Sequence, residues 1–366
     1  MSQKKRFLYL EDGTVLEGFG FGSSDYKTGE LVFTTAMNGY PESLTDPSYK
    51  GQILLITHPL VGNYGVPGLK SKDGIISNFE SESIKAEGLV VSELTHGMKW
   101  NSSKSLDEWL KDNNIPGISG IDTRALTKKV REEGVMACII SDDAIEDAEA
   151  RFKRSRNYDF SNLVGMVSPK EPVKHGSGNE VVVVVDFGVK HGILENLSDL
   201  GYRIIRVPYN YSAEEIMAFK PNGIVYSNGP GNPNLLLKEA ETFKSLLEYN
   251  IPTLAICLGH QIASMALGGE VRKMKFGHRA INKAVVDQMS KRSYITTHNH
   301  GYEVSKDALP EDSEIWFNSP DDDVVEGLRF KRMNLLTVQF HPEARPGTND
   351  TRFIFNLFGG MVHGSL

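Results

Sequence analysis

The run Val181-Val182-Val183-Val184-Val185 constrains the fold more than any other segment of this chain. Consecutive β-branched residues leave no polar side for solvent, so the run reads as a strand covered on both faces. Strands and helices then alternate. Residues 192–200 have a helical pattern, 202–207 and 223–227 are strand-like, 235–249 are helical and 253–256 form a further strand. Repeating strand–helix units imply an open, mostly parallel sheet flanked by helices, an α/β fold. Ligands bind such sheets beyond the carboxyl ends of the strands.

The last of those strands runs into a turn. Leu254-Ala255-Ile256-Cys257-Leu258-Gly259-His260-Gln261 is apolar, bends at a small residue and continues in helical pattern over 262–267. A nucleophile at such a turn is pushed out of the chain and onto a helix N-terminus. There the helix dipole favours thiolate over thiol. Far downstream, Gln339-Phe340-His341-Pro342-Glu343 supplies a base and a carboxylate to orient it. Cys257, His341 and Glu343 together outline an acyl-transfer site. A cysteine in an apolar stretch is by default a small buried hydrophobe. The turn, the helix and the distal His-Pro-Glu outweigh that reading for Cys257. Cys138 has no such context and reads as core packing.

Two further segments belong with these. Asn228-Gly229-Pro230-Gly231 follows a strand, and its glycines let backbone N–H groups approach a substrate. With the N–H of Leu258 they would form an oxyanion hole. In Thr297-His298-Asn299-His300-Gly301-Tyr302, two histidines two apart would share one face of a strand, which opens a metal reading. No cysteine or carboxylate with ligand spacing accompanies them. The expectation is therefore no metal, and a loop that binds a polar substrate through its backbone. His260 is placed to pack or cap, not to act as the base.

The chain has 366 residues, enough for two domains of ordinary size. Residues 1–150 are rich in short strands and turns and read as a mixed β/α domain, with a hairpin over residues 7–18. A helix follows Ser105, and another runs over 122–134 with a glycine at its end. Residues 151–178, with a basic cluster at 151–156 and prolines beyond, have linker composition. Residues 179–366 form the second domain. A net charge of −7 gives no reason to expect nucleic acid as a partner. No apolar run reaches the roughly 18 residues of a membrane span. Two cysteines far apart fit a reducing, cytoplasmic setting.

At this point a resemblance is plain. Ala255 to Gln261, Ser227 to Gly231, Asn299 to Gly301 and His341 to Glu343 resemble the motifs of class I, triad-type glutamine amidotransferases. These motifs give the chemistry but serve glutaminases feeding several synthetases, such as those for anthranilate or GMP. The first half narrows the family. Thr35-Ala36-Met37-Asn38-Gly39-Tyr40-Pro41-Glu42, Leu44-Thr45-Asp46-Pro47-Ser48-Tyr49, Gly62-Asn63-Tyr64-Gly65 and residues 120–127 resemble the small-subunit family of carbamoyl-phosphate synthetases. Residues 186–190 and 274–278 fit the same family. Ala255 stands where the elbow usually begins with Gly, Phe340 where relatives often have Gly, and Tyr302 where Phe is common. None of these removes a catalytic group.

The resemblance implies hydrolysis of L-glutamine by Cys257, His341 and Glu343 through a glutamyl thioester. It places substrate contacts at Ser48, Gly229, Gly231, Leu258, Gln261, Asn299, Gly301 and Tyr302. Ser48 lies in the first domain, so the glutamine pocket is expected to be completed where the domains meet. The chain lacks a G-x-x-x-x-G-K-[ST] phosphate loop, and no cofactor of its own is expected. ATP and Mg2+ would belong to a large-subunit partner that receives ammonia and makes carbamoyl phosphate for arginine and pyrimidine synthesis. The first domain is expected to dock that partner. A catalytically dead scaffold subunit is the contrary reading, and an intact Cys-His-Glu set speaks against it.

Overall fold

A computed structural model describes residues 4–143, 145, 152 and 161–365. The basic cluster expected at 151–156 lies outside the described residues, apart from Phe152. The chain forms two compact units, Met1–Lys70 with Asn78–Ser161, and Ser71–Ser77 with Asn162–Leu366.

The first unit is built on a closed barrel. Its strands are β1 (Lys5–Leu10), β2 (Val15–Gly22), β3 (Lys27–Thr34), β4 (Gln52–Ile56), β5 (Gly88–Val90), β6 (Pro116–Ser119) and β7 (Met136–Ser141), in the order β1-β7-β3-β4-β5-β6-β2. The expected hairpin is there, with Leu8 opposite Leu16 in β1 and β2. β3, β4, β5 and β6 pair in parallel, and the rest pair antiparallel. Closure leaves no sheet edge open, and Leu31, Ile53, Leu54, Leu89, Ile118 and Ile139 are fully buried on its strands. Alternation in the sequence shows which residues face inward; it does not show that the sheet closes. Helix Leu106–Asp112 opens with a reciprocal Ser105–Glu108 cap, and helix Thr123–Glu133 opens on the Asp122 side chain. Cys138 is fully buried in β7, and burial pushes its thiol pKa well up. It is core packing, as its context suggests.

The second unit is a ten-stranded sheet. Its strands are β8 (Val173–His175), β9 (Val181–Asp186), β10 (Arg203–Pro208), β11 (Gly223–Tyr226), β12 (Thr253–Ile256), β13 (Val271–Asp287), β14 (Ser293–Val304), β15 (Ser313–Asn318), β16 (Val325–Phe330) and β17 (Leu335–Val338). The order is β8-β10-β9-β11-β12-β17-β16-β14-β13-β15. Only β10, β9, β11, β12 and β17 run parallel. Beyond β17 the sheet continues antiparallel through β16, β14, β13 and β15, so it is mixed and not mostly parallel. The valine run is β9, buried throughout as its composition requires. Val183 and Val185 face one core layer, and Val182 and Val184 the other. Residues 71–76 form a short hairpin of this unit; the Ile76 N–H donates to His191 Nδ1 at 2.8 Å.

Candidate active site

Four chain segments leave the carboxyl ends of the neighbouring strands β9, β11, β12 and β17; those after β11, β12 and β17 carry predicted site residues, and the one after β9 adds Lys190. After β12, Cys257 caps helix Leu258–Ala266 with φ 55° and ψ −105°. A positive φ costs a non-glycine residue energy, and it persists only where the surroundings enforce it. Here the Cys257 N–H donates to Val338 O at 2.8 Å, and the Gly259 N–H to Ser227 O at 3.1 Å. Gly259 is required at that contact, because a Cβ would meet Tyr226 O at 2.3 Å. The thiol is nearly fully buried and donates to Asn299 O at 3.7 Å.

After β17, the His341 N–H donates to Thr297 O at 2.8 Å, and this bridge to β14 fixes the His-Pro-Glu turn. His341 Nδ1 donates to Glu343 Oε1 at 2.8 Å. That bond orients the ring and leaves Nε2 to face the Cys257 thiol. Burial pulls the imidazolium down, but the Glu343 carboxylate and then Cys257 outweigh it, and the pKa is pushed up to about 10. Burial would raise the Glu343 carboxyl, yet Lys190 first, and then His341, hold it well below the usual carboxylate range.

Lys190 lies in the family-matching segment 186–190, but the sequence assigned it no role. Its Nζ lies 2.8 Å from Glu343 Oε1, with both side chains buried. It ends the turn after β9. Asp186 shapes that turn by accepting from the Gly188 and Val189 N–H groups at 2.8 and 2.7 Å, and it pairs with Arg206. The Asn228 side chain accepts from the Lys190 N–H at 3.1 Å. A lysine closely following a fully apolar strand was the available signal.

The segment after β11 brings Gly229 against the helix. A Cβ on Gly229 would meet Phe187 O at 2.3 Å and Leu258 Cδ2 at 2.9 Å. Gly229 therefore packs against the Leu258 side chain. Gly231 has φ 92°. Gln261 is buried, and its amide nitrogen donates to Tyr302 O and Gln339 Oε1, each at 2.9 Å. Only its amide oxygen remains for a substrate. Asn299, Gly301 and Tyr302 lie within strand β14, not in the loop expected for them. Ser48 sits in a short helical turn of the first unit, where its N–H donates to Asp46 Oδ1 at 2.9 Å. His260 is fully buried, bonds through Nδ1 to Thr337 Oγ1 at 2.9 Å, and is driven by burial to a pKa of about 3. It packs, as expected. The reason for setting a metal aside does not hold, because the sheet brings His278 and the Glu326 carboxylate beside His298 and His300.

Two family descriptions match the chain. Residues 8–140 match the carbamoyl-phosphate synthase small chain, CPSase domain, and residues 183–361 match the class-I glutamine amidotransferase. A carbamoyl phosphate synthase small chain from Sulfolobus acidocaldarius is 57% identical over 98% of this chain and 97% of its own length. The chain belongs to the carbamoyl-phosphate synthase small-chain family. A small chain from Saccharolobus solfataricus is 54% identical over 100% of this chain and 99% of its own length. One from Pyrococcus furiosus is 45% identical over 99% and 98%. Membership makes the chain the glutamine amidotransferase subunit of a glutamine-hydrolysing carbamoyl-phosphate synthase. Among the described residues no helix is long and apolar enough to cross a membrane.

Proposed function

We propose that the chain hydrolyses the side-chain amide of L-glutamine with Cys257, His341 and Glu343 and passes the ammonia to a large subunit. The observation that carries this reading is a thiol on a strained helix N-cap beside an imidazole whose outer nitrogen is held by Glu343. The raised basicity of His341 favours transfer of the thiol proton to Nε2. Cys257 Sγ then attacks the amide carbon, and the oxyanion is met by the N–H groups of Leu258 and Gly229. The imidazolium gives its proton to the departing nitrogen, and ammonia leaves a glutamyl thioester. His341 then takes a proton from water, the resulting hydroxide attacks the thioester, and glutamate is released with the thiolate restored.

Asn299, Gly301, Tyr302, Gly231, the Gln261 amide oxygen and Ser48 are proposed to hold the substrate. The printed names of the relatives, each a small chain, support a large-subunit partner. That partner is proposed to bind ATP, Mg2+ and bicarbonate and to yield carbamoyl phosphate for arginine and pyrimidine synthesis. The first unit is proposed to dock it. Acid quenching during glutamine turnover, followed by peptide mass analysis, tests the chemistry. A glutamyl adduct on the Cys257 peptide is expected, and turnover without any adduct at Cys257, or with one at Cys138, would sink it. A chain lacking residues 1–150 that still bound the large subunit fully would overturn the docking assignment.

A further inference from the structure

Outside the catalytic set, the antiparallel half of the second unit buries His278, His298, His300 and Glu326 side by side, with one nitrogen or oxygen of each within 4.8 Å of the others. Their side chains are at most 4% exposed. A bulge brings His278 there. β13 and β14 lose register between Lys273 and His278, and the ladder resumes with His278 opposite His300. Gly277, at φ 69°, permits this; a Cβ there would meet His300 O at 2.3 Å.

The hydrogen bonds around the cluster fix which atoms point inward. The Thr296 hydroxyl donates its one proton to Lys283 O at 2.8 Å, so at 2.6 Å from His298 Nε2 it must accept, and Nε2 carries the proton. His300 Nδ1 faces the Tyr302 carbonyl at 2.9 Å and must donate to it. His298 Nδ1 and His300 Nε2 are then both lone pairs, yet they face each other at 3.3 Å. Glu326 Oε2 lies 3.4 Å from the first and 3.9 Å from the second, and it accepts no hydrogen bond. Three acceptor atoms thus converge in a buried site, an arrangement that a cation would satisfy.

We propose that this cluster is a structural site for a divalent transition metal of the zinc class. His298 Nδ1, His300 Nε2, Glu326 Oε2 and His278 Nδ1 are the ligands. Zinc ligands at about 2.0–2.1 Å in tetrahedral array lie roughly 3.3–3.4 Å apart, close to the 3.3 and 3.4 Å that separate His298 Nδ1 from His300 Nε2 and Glu326 Oε2. Every histidine has its outward nitrogen held by a second group, as metal-binding imidazoles require. For His278 that group is Asp322, whose Oδ2 lies 2.6 Å from Nε2. Binding displaces the proton shared between His278 Nδ1 and Glu326 Oε1, now 3.0 Å apart. Three imidazoles and a carboxylate, with no thiolate, suit zinc, cobalt or iron better than calcium or magnesium. The metal would pin β13, β14 and β16 together directly behind Asn299 and Gly301.

The test is metal content and coordination of the full-length chain. After loading with zinc and removing the excess, about one equivalent is expected. X-ray absorption should show several imidazoles and no sulfur, and a cobalt-loaded sample should give the visible bands of tetrahedral coordination. Glu326→Gln supplies an amide N–H to the facing lone pair, so it should fold without metal, lose stoichiometric binding and no longer melt lower after chelation. A wild-type chain that takes up no stoichiometric zinc or cobalt would overturn the proposal. Sulfur in the zinc shell, or full occupancy retained by Glu326→Gln, would overturn it too. Should that variant fail to fold, the wild-type coordination spectra decide alone.

Discussion

Replacing Lys190 by Met tests whether the catalytic carboxylate depends on a cation outside the Cys-His-Glu set. Lys190 Nζ and Glu343 Oε1 are 2.8 Å apart and fully buried. At an effective dielectric of 20 this attraction is about 6 kcal/mol. Part of it offsets the cost of burying the ammonium, which Met does not incur. Breaking one arm of a buried pair typically costs about 3–5 kcal/mol, because the remaining charge stays buried. Thermal unfolding of Lys190→Met should therefore shift down by about 10 °C. Glutamine turnover should fall as well, since His341 loses a fixed partner. In the double variant Lys190→Met/Glu343→Gln the buried charge is gone, so the stability loss should be smaller than the sum of the single losses. A Lys190→Met loss under about 1 kcal/mol, the value of an exposed pair, would refute the reasoning, and so would strict additivity.

Other outcomes follow from the same geometry. Gly229→Ala forces a Cβ toward Phe187 O, 2.3 Å away, so the loop must move; turnover should fall by about 10²–10³, the value of one oxyanion donor, and an unchanged rate would remove Gly229 from that role. The His341 pKa is raised from 6.5 to about 10, so its stabilisation is complete below pH 6.5 and is lost as pH rises through 10. Urea unfolding should therefore show an alkaline decline of up to about 1.4 kcal/mol per pH unit that His341→Asn lacks; equal slopes would contradict it. Glu343 is depressed below 4.5, so its contribution is present above that pH and fades only on further acidification; Glu343→Gln should flatten the acid limb measured the same way.

How much of this was legible in the sequence divides along physical lines. Cys257, His341 and Glu343 could be read because each follows a buried parallel strand, and such strands announce themselves by composition. The turn at Gly229 could be read for the same reason. Lys190 sat in the matched segment 186–190 without a role, because only the fold brings it to a carboxylate 153 residues away. The antiparallel half of the sheet was not foreseen, since β13 and β14 are long, polar and bulged, and their pairing sets which residues meet. Glu326 is 48 residues from His278, beyond any local ligand spacing, so the carboxylate judged missing was a matter of topology. Barrel closure in the first unit is likewise a property of register.

The central claim is that Cys257 releases ammonia for a partner. The most direct measurement is carbamoyl phosphate synthesis by the full complex of this chain with a large subunit, comparing wild type with Cys257→Ser and supplying either glutamine or ammonium. Synthesis from glutamine should vanish in the variant while synthesis from ammonium persists. Glutamine-dependent synthesis that survives Cys257→Ser would contradict the account.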